Sequence, residues 1–162
     1  MREPWTQLYV HLVWACWDRL PLLSKEIEQS IYACIQEECF RLRCESIAIG
    51  GTEDHVHLLT RFPTTITIAD LTKQVKGSSS HLITHRLAHR EPFKWQGAYG
   101  AFTVSRAEVP RVRAYILNQK QHHREGTLDE DFERIFIEQP CDQTRPGDQG
   151  HGNKHTKSIS ID

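Results

Sequence analysis

The sequence has no C-x-x-C pair, no internal repeat, no apolar run near the ~20 residues that cross a bilayer, and no basic leader with a long hydrophobic stretch. Each absence removes a class of protein. The five cysteines (16, 34, 39, 44 and 141) are odd in number and lack paired spacing, so they read as reduced thiols. With neither span nor leader, the expectation is a soluble, cytoplasmic chain with no membrane partner. What is present argues for a folded core: 38% of residues are hydrophobic and 25% charged, with 4 Trp, 4 Tyr and 6 Phe. A single domain of 162 residues buries roughly two thirds of its unfolded surface and folds without staples.

Net charge is also scarce, at -1, but it is unevenly spread. Residues 1–70 carry -4, residues 71–124 carry +8 from 10 basic and 2 acidic residues, and residues 125–162 carry -5. The basic segment is a candidate phosphate-contacting surface, because neutralising phosphates supplies most sequence-independent affinity for nucleic acid. A solvated helix face gives the same composition.

Leu8 to Trp14 alternates partly and predicts a strand with Leu8, Val10, Leu12 and Trp14 on one face. Ser24 offers an N-cap to an amphipathic helix over 25–43, with Ile27, Ile31, Cys34, Ile35 and Leu42 at helical spacing. Ser46 to Gly51 and His55 to Phe62 predict a hairpin closed by Thr52–Asp54. Thr67 and Asp70 start a second helix, with Ile68, Leu71, Val75, Ser78 and Leu82 inward, running to about residue 88. An aromatic and glycine-rich loop leads to a strand at Ala101–Ser105. Ser105 and Glu108 then suggest a capping box for a last helix ending near Gly126. Strand, helix, strand, strand, helix, strand is the order of a ferredoxin-like (RRM-like) α+β fold: an antiparallel sheet with helices on one face, plus a C-terminal helix. Residues 1–139 form the domain, and 140–162 read as a disordered polar tail.

The chemistry centres on Asp54-His55-Val56-His57-Leu58-Leu59. Residues i and i+2 of a strand share a face, so His55 and His57 point together. That is a plausible half of a metal site, but a lone H-x-H is a weak signal, and ordinary strand histidines are its default reading. Position 59 is leucine, which excludes the histidine-triad phosphohydrolases and the H-x-H-x-D-H of metallo-β-lactamases. The lack of a second H-x-[ST] excludes the two-histidine phosphodiesterases. On the last helix, Tyr115 and Gln119 are one turn apart and share a face. Tyr115 lies off the Val112/Ile116 stripe, at the edge of the core, where a tyrosine also serves simply as a cap.

D-H-V-H-L-L followed about sixty residues later by Y-I-L-N-Q resembles the single-tyrosine HUH transposases, the small insertion-sequence enzymes and their REP-associated relatives. Tyr9 to Trp14, Lys76 to Ser80 and Trp95 to Gly100 extend the likeness over about residues 7–124. The resemblance implies that His55, His57 and Gln119 are metal ligands and Tyr115 is the nucleophile. The implied reaction cleaves a phosphodiester in single-stranded DNA with hairpin ends, leaving a 5′-phosphotyrosine and a free 3′-hydroxyl. Rejoining is the reverse attack, so no nucleotide cofactor is needed. It further implies Mg²⁺ or Mn²⁺, a homodimer whose tyrosine helices complete each other's sites, and a nucleoid-associated location in a prokaryotic-type cell. Such an enzyme either moves a mobile element or is domesticated.

Around this set, Asp54 is placed to tune His55. Lys73, Lys76, Arg86 and Arg90 suit DNA phosphates, as do Arg111 and Arg113 beside Tyr115. Trp95 and Tyr99 are candidates for stacking on unpaired bases or for covering the sheet end. His81, His85 and His89 repeat every four residues but lack a Cys or acidic partner, and read as surface residues. His122 and His123 follow the tyrosine motif and read as exposed at a helix end more readily than as one of them approaching the site. The competing functions are a hairpin-binding module that has lost transposition and a generic RNA-binding domain. Retention of His55, His57, Tyr115 and Gln119 favours the enzyme, and no aromatic strand signature supports RNA binding.

Overall fold

A computed structural model describes residues 4–87 and 92–135. Four strands form one antiparallel sheet: β1 (Tyr9–Ala15), β2 (Glu45–Gly51), β3 (His55–Arg61) and β4 (Gly100–Val104). Their order is β2-β3-β1-β4, with β1 and β3 central. Two long helices, α1 (Lys25–Arg41) and α2 (Ile68–His85), connect them. Three shorter helices follow β4: α3 (Val109–Leu117), α4 (Gln119–Glu125) and α5 (Glu130–Glu133). The fold class and the hairpin are as the sequence predicts.

Alternation along the central strands sends side chains to two different layers. Val10, Leu12, Trp14, Val56 and Leu58 pack with Ile27, Ile31 and Ile35 of α1 and Leu71, Val75 and Ile83 of α2. The opposite face holds Ala48, Leu59 and Val104 against Val112, Tyr115 and Ile116, with Val13 and Ala15 against Ile135. Both faces are therefore covered, which is why β1 is buried almost throughout while Leu8, just outside the strand, is exposed. In register, Ala15 faces His55, Val13 faces His57 and His11 faces Leu59, so all six share the second face.

Several local expectations need correction. Thr67 caps α2 as predicted, accepting the Asp70 N–H at 3.0 Å. Ser24 occupies the N-cap of α1 without a side-chain capping bond. Ser105 and Glu108 form a backbone turn instead of a capping box, and α3 begins only at Val109, with Pro110 in its first turn, where a missing donor costs least. The predicted single last helix is broken at Asn118 (φ -102°, ψ 17°), whose side chain donates to the Ala114 carbonyl at 2.9 Å. Gly126, at φ 66°, ends α4 as expected. On α2 the buried positions are Ser79 and Ile83, one residue beyond the predicted Ser78 and Leu82. The expected tail at 140–162 lies outside the described residues.

Candidate active site

The hairpin β2–β3 delivers His55 and His57, both fully buried, onto the face that α3 covers. Gly50, opposite His57 on β2, allows this approach: a Cβ there would lie 2.1 Å from the Ile116 carbonyl oxygen. The helix so admitted carries Tyr115, whose ring centroid is 6.2 Å from that of His57. One turn on, Gln119 is buried, with Oε1 3.3 Å from His55 Nε2. All four expected residues thus meet within one chain.

They meet on a residue that the sequence did not signal. Glu133, from α5, accepts the Tyr115 hydroxyl proton at Oε1 (2.5 Å) and the Gln119 amide at the same oxygen (3.3 Å). Its Oε2 lies 3.5 Å from Nε2 of both His55 and His57. The two residues read as exposed at the helix end also enter. His122 stacks on Tyr115 (4.8 Å, 27°), and His123 stands 4.9 Å from His55 and 4.0 Å from Glu133. The Asn118 break starts α4 as a separate helix, and both histidines lie on it.

Asp54 lies beside His55. It accepts the His55 Nδ1–H at 2.6 Å, and is itself held by the Thr52 hydroxyl (2.7 Å) and the Arg19 guanidinium (2.8 Å). Asp18 and Arg19 take left-handed backbone, φ 52° and 56°, in the turn that aims this guanidinium. With Nδ1–H committed to Asp54, His55 presents a lone pair at Nε2. That lone pair faces two oxygens, Gln119 Oε1 and Glu133 Oε2, while His57 Nε2 is buried without a hydrogen-bond partner. Lone pairs of His55 Nε2, Gln119 Oε1 and Glu133 Oε2 converge, and His55, His57 and Glu133 can each offer a ligand atom within 4.8 Å of one another, a set that fits a cation.

Burial and neighbouring charge set the protonation. Burial, and then the hydrogen bond to Glu133, push the Tyr115 phenol up to about 12. Burial would raise Glu133, but the His57 ring and the Tyr115 hydroxyl outweigh it and hold the carboxyl down at about 2. Burial lowers His57 to about 4 and His11 to about 3, so both rings are neutral. An open groove of about 690 Å³ adjoins the cluster, lined in part by Arg19, Asp54, Lys120, His123 and Arg124.

The expected DNA contacts are not all brought here. Lys73 and Arg86 are exposed on α2, in the layer across the sheet from the histidines. Lys76 donates to the carbonyls of Gln96 (2.5 Å), Gly97 (3.1 Å) and Ala98 (3.4 Å), so its ammonium clamps that loop. Trp95 is a core residue, 6% exposed, packed edge-on against Trp14 and donating to Ser79 Oγ at 3.1 Å; it has no free face for a base. Arg111 is exposed but paired with Asp129 (2.9 Å), and Arg113 is exposed. Arg90 and His89 lie outside the described residues.

The family model for IS200-like transposases matches residues 5–119, and the chain belongs to that family. A solved structure of a candidate transposase from Deinococcus radiodurans R1 is similar, with 26% identity and TM-score 0.57, over 74% of this chain and 95% of that one. A REP-associated tyrosine transposase bound to a REP hairpin shares the fold at 13% identity and TM-score 0.57, over 79% of this chain and 74% of that one. No curated protein matches. Among the described residues, no helix is long and apolar enough to cross a membrane.

Proposed function

We propose that this transposase cleaves and rejoins single-stranded DNA with hairpin ends, with Tyr115 as nucleophile and His55, His57 and Gln119 holding Mg²⁺ or Mn²⁺. The observation that carries this reading is the meeting of the Tyr115 hydroxyl and both Nε2 atoms on one carboxylate. Glu133 adds an oxygen to the donor set.

The phenol oxygen forms a bond to phosphorus, the bond from phosphorus to the 3′-oxygen breaks, and the departing oxygen takes a proton. Attack by a 3′-hydroxyl on the phosphotyrosine reverses the exchange, so the bond energy is kept and no nucleotide is consumed. In the resting protein the gap between about 12 for Tyr115 and about 2 for Glu133 keeps the proton on the phenol. Glu133 accepts the hydrogen bond of this hydroxyl and orients it. A divalent cation on the histidines would supply the positive charge that favours the phenolate and the leaving oxygen. Asp54 holds His55 in the tautomer that can ligate. In the adjoining groove Arg19 is paired with Asp54 and Lys120 with Glu28, which leaves Arg124 to meet a phosphate, and Lys73, Arg86, Arg111 and Arg113 offer further phosphate contacts.

The test is a denaturing gel of protein, Mn²⁺ or Mg²⁺, and single-stranded DNA from both flanks of the gene. A slow, SDS-resistant band should form with the wild type, require the metal, and be absent with Tyr115→Phe. No band, with a hairpin still shifted on a native gel, would leave a binding protein that no longer transposes.

A further inference from the structure

An imidazole binds a cation through one nitrogen only, so its proton must sit on the other, and something must hold it there. Asp54 does this for His55. For His57, among the described residues, the group on Nδ1 is another histidine: Nε2 of His11 lies 2.8 Å away. His11 is fully buried on β1, its ring 5.1 Å from that of His57 and inclined by 23°, with Phe102 and Phe132 against its other sides at 5.6 and 5.2 Å. Among the described residues, neither of the remaining nitrogens of the pair, His11 Nδ1 and His57 Nε2, has a hydrogen-bond partner, Glu133 Oε2 lying 3.5 Å from the latter. The two rings therefore share one hydrogen bond, and its direction decides what His57 shows to the site.

We propose that His11 is the positioning residue for His57: its Nε2 accepts the His57 Nδ1–H and leaves the His57 Nε2 lone pair open to the cation. This rests on the reading that His55 and His57 hold a metal. The reverse direction, with His11 donating, would place a proton on His57 Nε2 and block ligation. Passing from one to the other keeps two protons on the pair: His57 Nε2 loses one and His11 Nδ1 gains one. A carboxylate could also accept from Nδ1, but position 11 lies wholly inside the sheet–helix layer, where an unpaired charge is far costlier than a neutral ring. The packing of Phe102 and Phe132 fixes the plane of His11, and through the shared bond the plane of His57.

The experiment is a Mn²⁺ titration of purified protein without DNA, with free Mn²⁺ read by electron paramagnetic resonance. His11→Phe keeps a ring but no acceptor, and should weaken binding by about 10- to 100-fold. His11→Gln places an amide oxygen near the position of Nε2, and should stay within a few-fold of the wild type. His11→Asn is too short to reach, and should resemble Phe; it replaces that variant if Phe does not fold. In the Mg²⁺-loaded wild type, long-range ¹H–¹⁵N spectra should put the His57 proton on Nδ1, and His11→Phe should abolish that signature. Equal losses in Gln, Asn and Phe would reduce His11 to a packing residue, and binding unchanged in Phe would overturn the proposal. A wild type that binds no Mn²⁺, or a His57→Ala that binds as the wild type does, would instead overturn the metal reading itself, and this one with it.

Discussion

Glu133 bears on the nucleophile and the histidines through different oxygens, and one substitution separates the effects. Glu133→Gln keeps the shape but removes the charge that helps hold Tyr115 near 12, so the phenol should titrate closer to the ordinary value near 10. Difference absorbance of tyrosinate against the wild type reads this directly; an unchanged curve would mean that burial alone sets the shift. Acid stability follows from the same cluster. His11 and His57 have folded values of about 3 and 4, below the 6.5 of an unfolded histidine. As pH falls below 6.5, the unfolded chain takes up protons that the folded chain refuses, so stability drops by up to about 1.4 kcal/mol per pH unit for each ring. Glu133, depressed to about 2, adds loss in the same direction below 4.5. The thermal midpoint of the metal-free protein should therefore decline between pH 7 and pH 4. A midpoint flat down to pH 5 would contradict the neutral, buried pair.

The contact of α3 with β2 positions Tyr115, the proposed nucleophile, and it depends on a missing side chain. Gly50→Ala would set a methyl group 2.1 Å from the Ile116 carbonyl oxygen, so helix and sheet must part. Overpacking of this kind costs about 1–3 kcal/mol, and it should move Tyr115 away from His57. A lowered thermal midpoint together with slower covalent adduct formation is the expected pair of results; a variant with a lowered midpoint and unchanged adduct rate would show that α3 does not set the position of Tyr115. The elements themselves were legible because each carries a period of its own: alternation in β1 and β3, helical spacing in α1 and α2. The histidine pair and the Tyr115–Gln119 pair were legible because both partners lie within one period. Glu133 was not, because a four-residue helix has no periodicity and its partners are 10 to 78 residues away in sequence. His11 was hidden inside a good strand pattern, where nothing local distinguishes a hydrogen-bonded histidine from any other. Trp95 shows the converse error: an aromatic in a glycine-rich loop suggests a stacking platform, yet its indole fills the end of the core.

At the scale of the molecule, the sheet divides the protein into a helical layer of α1 and α2 and a chemical layer of α3 to α5. Every member of the candidate site belongs to one chain. Tyr115 reaches its own His57 because α3 follows β4 after a turn of four residues and packs directly on its own β2 and β3. A dimer that exchanged tyrosine helices would have to undo the α3 contacts with Gly50 and Leu59 and reform them on a partner. The arrangement predicts catalysis in cis, which a mixture of two dead variants can test. His57→Ala lacks a ligand and Tyr115→Phe lacks the nucleophile, so each alone should form no covalent adduct. If helices are exchanged, half of the dimers in an equal mixture are mixed, and each has one site with both functions, restoring about a quarter of the wild-type sites. If each chain uses its own tyrosine, no mixed site contains both, and the mixture stays as inactive as its components. Co-refolding the two variants before the gel gives any exchange its chance to occur. A covalent band from the mixture would then show that Tyr115 leaves its own histidines for those of a second copy.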